Sequence, residues 1–298
     1  MVAGNAPTGV LVLGLGYSGR HVAALLRARG VACSGTVREP DAAPDDGVVR
    51  HCLVAGQPID DELREAIRSA EAVICTVPPD EGGDPALRLV AAELQESPAL
   101  GWVGYLSSTA VYADREGGWI DETSVADAVD DTARRRLLAE AQWREFARGK
   151  GVASAVFRLP GIYGRGRNAL VQLAEGRARH VVRPGLKFNR LHVEDLATVV
   201  VAAMDRPGEA LYLPADDEPA APQDVLAFAA KLGGFAMPPA VAWDDPSVGP
   251  ALRRFYASNK RIDSRGTREA LGWKPTFATY REGLQDAIRQ GWFPSNRR

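Results

Sequence analysis

Apolar residues along the chain fall into short blocks separated by amphipathic stretches with helical spacing. Residues 10–13, 31–37, 48–54, 72–77, 102–107 and 152–159 read as strands, and 72–77 is a continuous apolar run of the kind buried on both faces of a sheet. Helical patterns fall between them, at 21–29, 62–69, 85–96 and 132–148. Their ends carry the expected signals. Gly30 and Gly149–Gly151 stop two helices, Asp60 or Asp61 caps the second, and Pro85 opens the third. Alternation of this kind means parallel strands joined by crossover helices, so the expected fold class is α/β with a doubly wound parallel sheet. A polar loop with Pro40 and Pro44 is expected over residues 41–47.

After Pro160 the rhythm changes. A glycine-rich basic loop (161–167), a short helix at 168–175 and a basic stretch with Arg177, Arg179, Arg183, Lys187 and Arg190 come next. A helix at 193–204 and a strand at 210–213 follow, then helical pieces broken by prolines. The reading is a nucleotide-binding domain over 8–160, rejoined by 191–213, and a smaller, mainly helical C-terminal substrate domain made of 161–190 and 214–298. The basic stretch is either a solvated face or a contact for a phosphorylated or carboxylated substrate.

The first strand runs directly into Gly14-Leu15-Gly16-Tyr17-Ser18-Gly19, with a helix immediately after. This is Gly-x-Gly-x-x-Gly in the strand–turn–helix context that a dinucleotide fingerprint requires. Gly14 permits the tight turn, Gly16 lets backbone approach a pyrophosphate, and Gly19 lets helix and strand pack closely. Phosphate would meet the free N–H groups at the helix N-terminus, with Tyr17 and Ser18 in the same turn. About 20 residues on, where a ribose should lie, Arg38 follows the second strand and favours a 2′-phosphate. NADP is therefore the favoured cofactor and NAD the alternative, since Glu39 is adjacent and Arg38 can also be a solvated loop charge. Thr76, Val77 and Pro160 sit at the C-terminal ends of strands, where α/β ligands bind, and complete the cofactor candidates. Ser107-Ser108-Thr109 places three hydroxyls at the end of the fifth strand, facing the same crevice.

Composition narrows the function classes. Net charge is −2 over 298 residues, so there is no footprint for nucleic acid or an anionic membrane. No apolar run is long enough to span a bilayer, and the start of the chain lacks a signal-peptide pattern. Three cysteines without metal spacing and four scattered histidines point to reduced thiols, a cytoplasmic location and no metal site.

Several segments together resemble the extended short-chain dehydrogenase/reductases, the NAD-dependent epimerase/dehydratase family. They are the glycine loop, Ser107–Tyr112, Arg158-Leu159-Pro160-Gly161-Ile162-Tyr163-Gly164, Leu191-His192-Val193-Glu194-Asp195-Leu196-Ala197 and Leu271-Gly272-Trp273-Lys274-Pro275, in the family's order. The resemblance implies a Rossmann domain for a nicotinamide dinucleotide, a small polar or nucleotide-sugar-like substrate, and compatibility with a homodimer. It also implies a catalytic Tyr-x-x-x-Lys in the helix after Ser108. Here Thr132 falls at the tyrosine position and Arg136 at the lysine position. No tyrosine occurs between Tyr112 and Tyr163, and no lysine precedes Lys150. Tyr256-Ala257-Ser258-Asn259-Lys260 matches the motif literally but stands far away in the C-terminal part, and reads as a decoy.

The catalytic candidates are thus Ser108, which positions an oxygen, with Thr132 and Arg136. Thr132 is too weak an acid to replace tyrosine, and an arginine cannot relay a proton. Tyr112, Tyr163, His192 and Tyr256 are the candidate substitute acids. Two functional classes follow: an atypical oxidoreductase, epimerase or dehydratase, or an NADP-binding sensor or scaffold without chemistry.

Overall fold

The computed structural model describes residues 7–39 and 46–291, so the polar loop expected at 41–47 lies almost wholly outside the described residues. The chain forms two compact units. The first comprises Met1–Tyr112, Ala126–Arg158 and Leu196–Tyr212; the second comprises Ala113–Val125, Leu159–Asp195 and Leu213–Arg298.

The first unit is built from β1 (Gly9–Leu13), α1 (Tyr17–Ala28), β2 (Ala32–Val37), β3 (Val49–Cys52), α2 (Asp61–Ser69), β4 (Ala72–Cys75), α3 (Pro85–Glu96), β5 (Trp102–Ser108), α4 (Asp131–Lys150), β6 (Ala153–Leu159) and β7 (Ala210–Tyr212). The strands form one sheet in the order β7-β6-β5-β4-β1-β2-β3. The registers of β1 with β2 and β4, of β2 with β3, of β4 with β5 and of β6 with β7 are all parallel. This is the doubly wound α/β fold that the alternation implies. Strand order reverses at β1, whose neighbours β2 and β4 carry the chain away on opposite sides, and such a switch point opens a ligand crevice beyond the strand ends. Every residue of β4 is buried, as a strand covered on both faces requires. Leu11, Leu13, Leu63, Ile67, Val73, Val90, Leu94 and Trp143 pack into the core between the sheet and α2, α3 and α4. Each such side chain contributes roughly 1.5–3 kcal/mol through burial.

Helix ends follow their local chemistry. The Asp60 carboxylate accepts the N–H of Leu63 at 2.7 Å, and Asp84 and Asp130 cap α3 and α4 in the same way. Gly151, at φ 76°, closes α4 in the left-handed region. The fourth strand is shorter than its apolar run, ending at Cys75. The Thr76 N–H still donates to the Leu13 carbonyl at 2.9 Å while its hydroxyl bonds the Gly14 carbonyl, and Pro78 and Pro79 cannot continue a strand.

The second unit combines five helices (Ala169–Ala174, Pro222–Gly233, Pro250–Tyr256, Arg265–Leu271 and Tyr280–Arg289) with three short parallel strand pairs. Leu170, Leu226, Ala229, Tyr280 and Leu284 form its main apolar cluster. Here the family-like segments prove to be tied together. The buried Asp195 carboxylate accepts the N–H groups of Thr276 (2.6 Å) and Phe277 (3.0 Å), just beyond the Trp273-Lys274-Pro275 run.

The basic stretch divides: Arg177 and Arg179 are exposed, whereas Arg183 and Arg190 are bonded within the unit. Four of its five charges have partners within the unit. Arg190 donates to the carbonyls of Phe188 and Ala220, and Arg183 donates to that of Tyr256 and covers the Trp243 ring. Arg177 pairs with Glu175, and Lys187 lies 3.9 Å from Asp224. Among the described residues no helix is long and apolar enough to cross a membrane.

Candidate active site

The glycine turn is fixed from both sides by threonine hydroxyls. Gly14 takes φ 91°, a conformation that favours glycine. Its N–H donates to Thr36 Oγ1 at 2.9 Å, and its carbonyl accepts from Thr76 Oγ1 at 2.6 Å. A Cβ on Gly19 would stand 2.3 Å from the Gly14 carbonyl oxygen, so only glycine lets α1 start this close to β1. Gly16 differs: no atom lies within 4 Å of where its Cβ would be. Gly16 is the N-cap of α1, which has no side-chain cap and no acidic residue in its first turn. A 12-residue helix thus starts at open space without a resident carboxylate. Phosphate is the group such an end favours, and the cradle fits a pyrophosphate.

At the far end of β2, Arg38 and Glu39 are both exposed. Leu15 N–H bonds the Thr36 carbonyl, and Arg20 Nε bonds the Leu15 carbonyl at 2.9 Å. Arg20 is therefore anchored beside the strand end that carries Arg38. Thr36, Gly35 and Arg20 were not evident from the sequence. A threonine or glycine in a β-strand is ordinary, and only the contacts single them out. Gly35 is where a Cβ would strike the Leu15 side chain.

The C-terminal end of β5 carries the other half of the site. Ser108 is half-buried, and its Oγ accepts the N–H of Ala110 at 3.1 Å. Arg136 is half-buried on α4, and its Nη1 donates to the Leu106 carbonyl at 3.2 Å, two residues before Ser108. Thr132 lies one turn earlier on α4 and is exposed. One turn later comes Glu140, fully buried and also missed by sequence reasoning. Its carboxylate accepts the Ser107 hydroxyl at 2.6 Å and Arg158 Nη2 at 2.7 Å. Arg158 Nη1 reaches on to the Tyr112 hydroxyl at 2.8 Å. The spacing of 132, 136 and 140 was the available signal, since residues four apart share one helix face.

The candidate substitute acids are poorly suited to proton transfer. Tyr112 is buried, with its hydroxyl already accepting from Arg158. Burial pushes the pKa of Tyr163 above the ordinary phenol range, with Asp216 and Asp195 adding to the rise. His192 is fully buried in the second unit, between the Tyr163 and Phe277 rings. Tyr256 is buried at the end of its helix, and Lys260 lies outside that helix, bonding Ser258 Oγ, so the literal motif does not form a helical pair. Of the cofactor candidates, Gly14, Gly16, Tyr17, Ser18, Gly19, Arg38, Thr76 and Val77 all lie in the first unit, whereas Pro160 belongs to the second.

No family model matches the chain. Solved structures do. A functionally unknown conserved protein from Silicibacter pomeroyi is 37% identical, with 95% of this chain and 99% of that one covered at a TM-score of 0.85. A protein provisionally assigned as an NAD-dependent epimerase/dehydratase, from Methylobacillus flagellatus, is 25% identical over 95% and 99% of the two chains, at a TM-score of 0.72. The chain is thus similar to NAD-dependent epimerase/dehydratases in both sequence and fold. Similarity to an epimerase/dehydratase and to a reductase supports an NAD-dependent oxidoreductase or epimerase type of activity. MoeE5, solved in complex with UDP-glucose and NAD, shares the fold at 20% identity and a TM-score of 0.75, over 95% and 99% of the chains. The 3-diazoavenalumate denitrifying reductase of a Streptomyces species is 28% identical over 312 positions, spanning 92% of this chain and 98% of that enzyme.

Proposed function

We propose that this chain is an NADPH-dependent reductase whose substrate accepts hydride without needing a proton from the protein. One observation carries the reading: the positions of the family's proton-donating pair hold Thr132 and Arg136, and Arg136 bonds the Leu106 carbonyl on β5, two residues before Ser108. Gly14, Gly16 and Gly19 would hold the pyrophosphate and Arg38 the 2′-phosphate; the nicotinamide, when bound, supplies a hydride. Ser108 orients the substrate. Arg136 supplies positive charge but, being always protonated, gives up no proton. Thr132 is an aliphatic alcohol and gives up none either.

Similarity to a reductase of a diazo compound supports the same conclusion. Reductive removal of a diazo group from an arene balances without a proton. A C–H bond forms with the incoming hydride, and the C–N bond breaks with its electron pair leaving on dinitrogen. A diazo-substituted aromatic carboxylate is therefore the substrate class proposed. The test is incubation with NADPH deuterated at its transferable position and a diazo-substituted hydroxycinnamate. Loss of nicotinamide absorbance, with deuterium on the carbon that bore nitrogen, is expected. NADPH left intact by the diazo compound but consumed with a keto-sugar nucleotide would contradict the proposal.

A further inference from the structure

Arg136 is electrostatically exceptional. In the first unit the other described arginines that are buried or half-buried, Arg50, Arg64, Arg135, Arg144 and Arg158, each lie within 4 Å of a carboxylate. Arg136 has no such partner among the described residues; the Leu106 carbonyl is its recorded acceptor. The titratable groups around it do not supply a free anion. Burial holds the Cys75 thiol and the Tyr105 phenol well above their ordinary pKa values, so both are neutral. The Glu140 carboxylate is engaged by Ser107 and Arg158. That of Asp84 is engaged by the Leu87 N–H, Cys75 Sγ and Trp143 Nε1. A half-buried guanidinium left without a counter-ion calls for an anion from outside the chain. Two residues beyond Leu106 on β5, the Ser108 hydroxyl accepts from Ala110 and keeps its own hydrogen to donate.

We propose that Arg136 and Ser108 form an oxyanion site for a phenolate, so that the enzyme's substrates are phenolic aromatics bound and released with the oxygen unprotonated. This rests on the reading of the first unit as a reductase site. The chemistry selects the ligand class. A fixed cation stabilises an oxygen anion but cannot protonate it, so the anion must be stable enough to leave as it is. Phenols ionise with a pKa of about 10. A sugar hydroxyl is a much weaker acid than a phenol, so its alkoxide is too basic to leave unprotonated and would need the missing tyrosine. A phenolate also disperses charge into the ring as electrons arrive, which a saturated sugar cannot do.

The test is titration of the full chain, with NADP⁺ present, by 4-nitrophenol, whose phenolate has its own visible band. An opposite charge within about 4–6 Å lowers an acid's pKa by roughly 1–3 units. Bound nitrophenol is therefore expected to ionise at least about one unit below its free value, a tenfold shift in the equilibrium. Arg136→Gln should abolish the shift, Arg136→Lys should keep part of it, and Ser108→Ala should weaken binding while retaining most of the shift. Nitrophenol that fails to bind, binds as the neutral phenol, or keeps its shift in Arg136→Gln overturns the oxyanion site. NADPH fluorescence followed in parallel separates the two ideas, because wild-type protein that binds no NADPH contradicts the underlying reductase reading instead.

Discussion

Gly16 and Gly19 are both glycines of one turn, yet they are glycine for different reasons, and substitution separates them. A methyl on Gly19 meets the Gly14 carbonyl at 2.3 Å, backbone against backbone, so Gly19→Ala is expected to cost up to about 3 kcal/mol of stability. Gly16 faces open space, and Gly16→Ala should cost no more than about 1 kcal/mol as a changed N-cap while weakening NADPH binding tenfold or more. Urea unfolding and cofactor titration of the two variants check this; equal effects on stability would contradict it. In the second unit, burial raises the Asp216 pKa to about 8 from 3.8, with Arg190 opposing the rise. The folded state therefore holds an extra proton between those values. Its contribution is intact below about pH 4 and is lost as pH rises through 8. Relative to wild type, Asp216→Asn should gain up to about 1.4 kcal/mol per pH unit across that window and level off above it. Unfolding curves that stay parallel from pH 5 to 8 would rule this out. The glycines were legible in the sequence because backbone geometry demands them at fixed spacing. Thr36, Thr76 and Asp216 gain their roles from residues 22 to 62 positions away or from burial, which no local pattern carries.

At the scale of elements, α4 organises the β5 end of the candidate site. Positions 132, 136 and 140 descend one face from exposed hydroxyl, to half-buried guanidinium, to fully buried carboxylate. Glu140 joins α4 to β5 through Ser107 and to β6 through Arg158. Removing one member of a buried ion pair leaves its partner charged and unsolvated, so Glu140→Ala is expected to cost about 3–5 kcal/mol. Glu140→Gln, which keeps an acceptor for Ser107, should cost less. Chemical denaturation measures both, and a neutral Glu140→Ala would show that the pair does not hold these elements together. The long elements of the first unit were legible because burial imposes periodicity on them. The three strand pairs of the second unit were not. Their strands are two or three residues long, too short for alternation to register, and partners such as His180–Val182 and Ala240–Ala242 lie far apart in the chain. The basic stretch was legible only in part, since charge alone does not tell a guanidinium facing water, such as Arg179, from one bonded to carbonyls inside its own unit, such as Arg190.

Across the whole molecule, the fold resembles that of epimerase/dehydratases, while Thr132 and Arg136 stand where the resemblance implies a tyrosine and a lysine. Fold alone does not fix chemistry, and the exchange was visible in the sequence because two residue types are absent from a long stretch. What the sequence withheld was the electrostatic outcome: Arg136, bonded to the Leu106 carbonyl of β5, has no carboxylate partner among the described residues. The most direct test of the central claim, that the glycine turn and Arg38 hold NADPH, is fluorescence titration with NADPH and NADH for wild type and Arg38→Ala. A hydrogen bond to a charged group contributes about 1.5–3 kcal/mol. NADPH should therefore bind at least about tenfold more tightly than NADH, with the preference lost in Arg38→Ala. Binding of neither cofactor in the millimolar range, or a preference unchanged by Arg38→Ala, would contradict it.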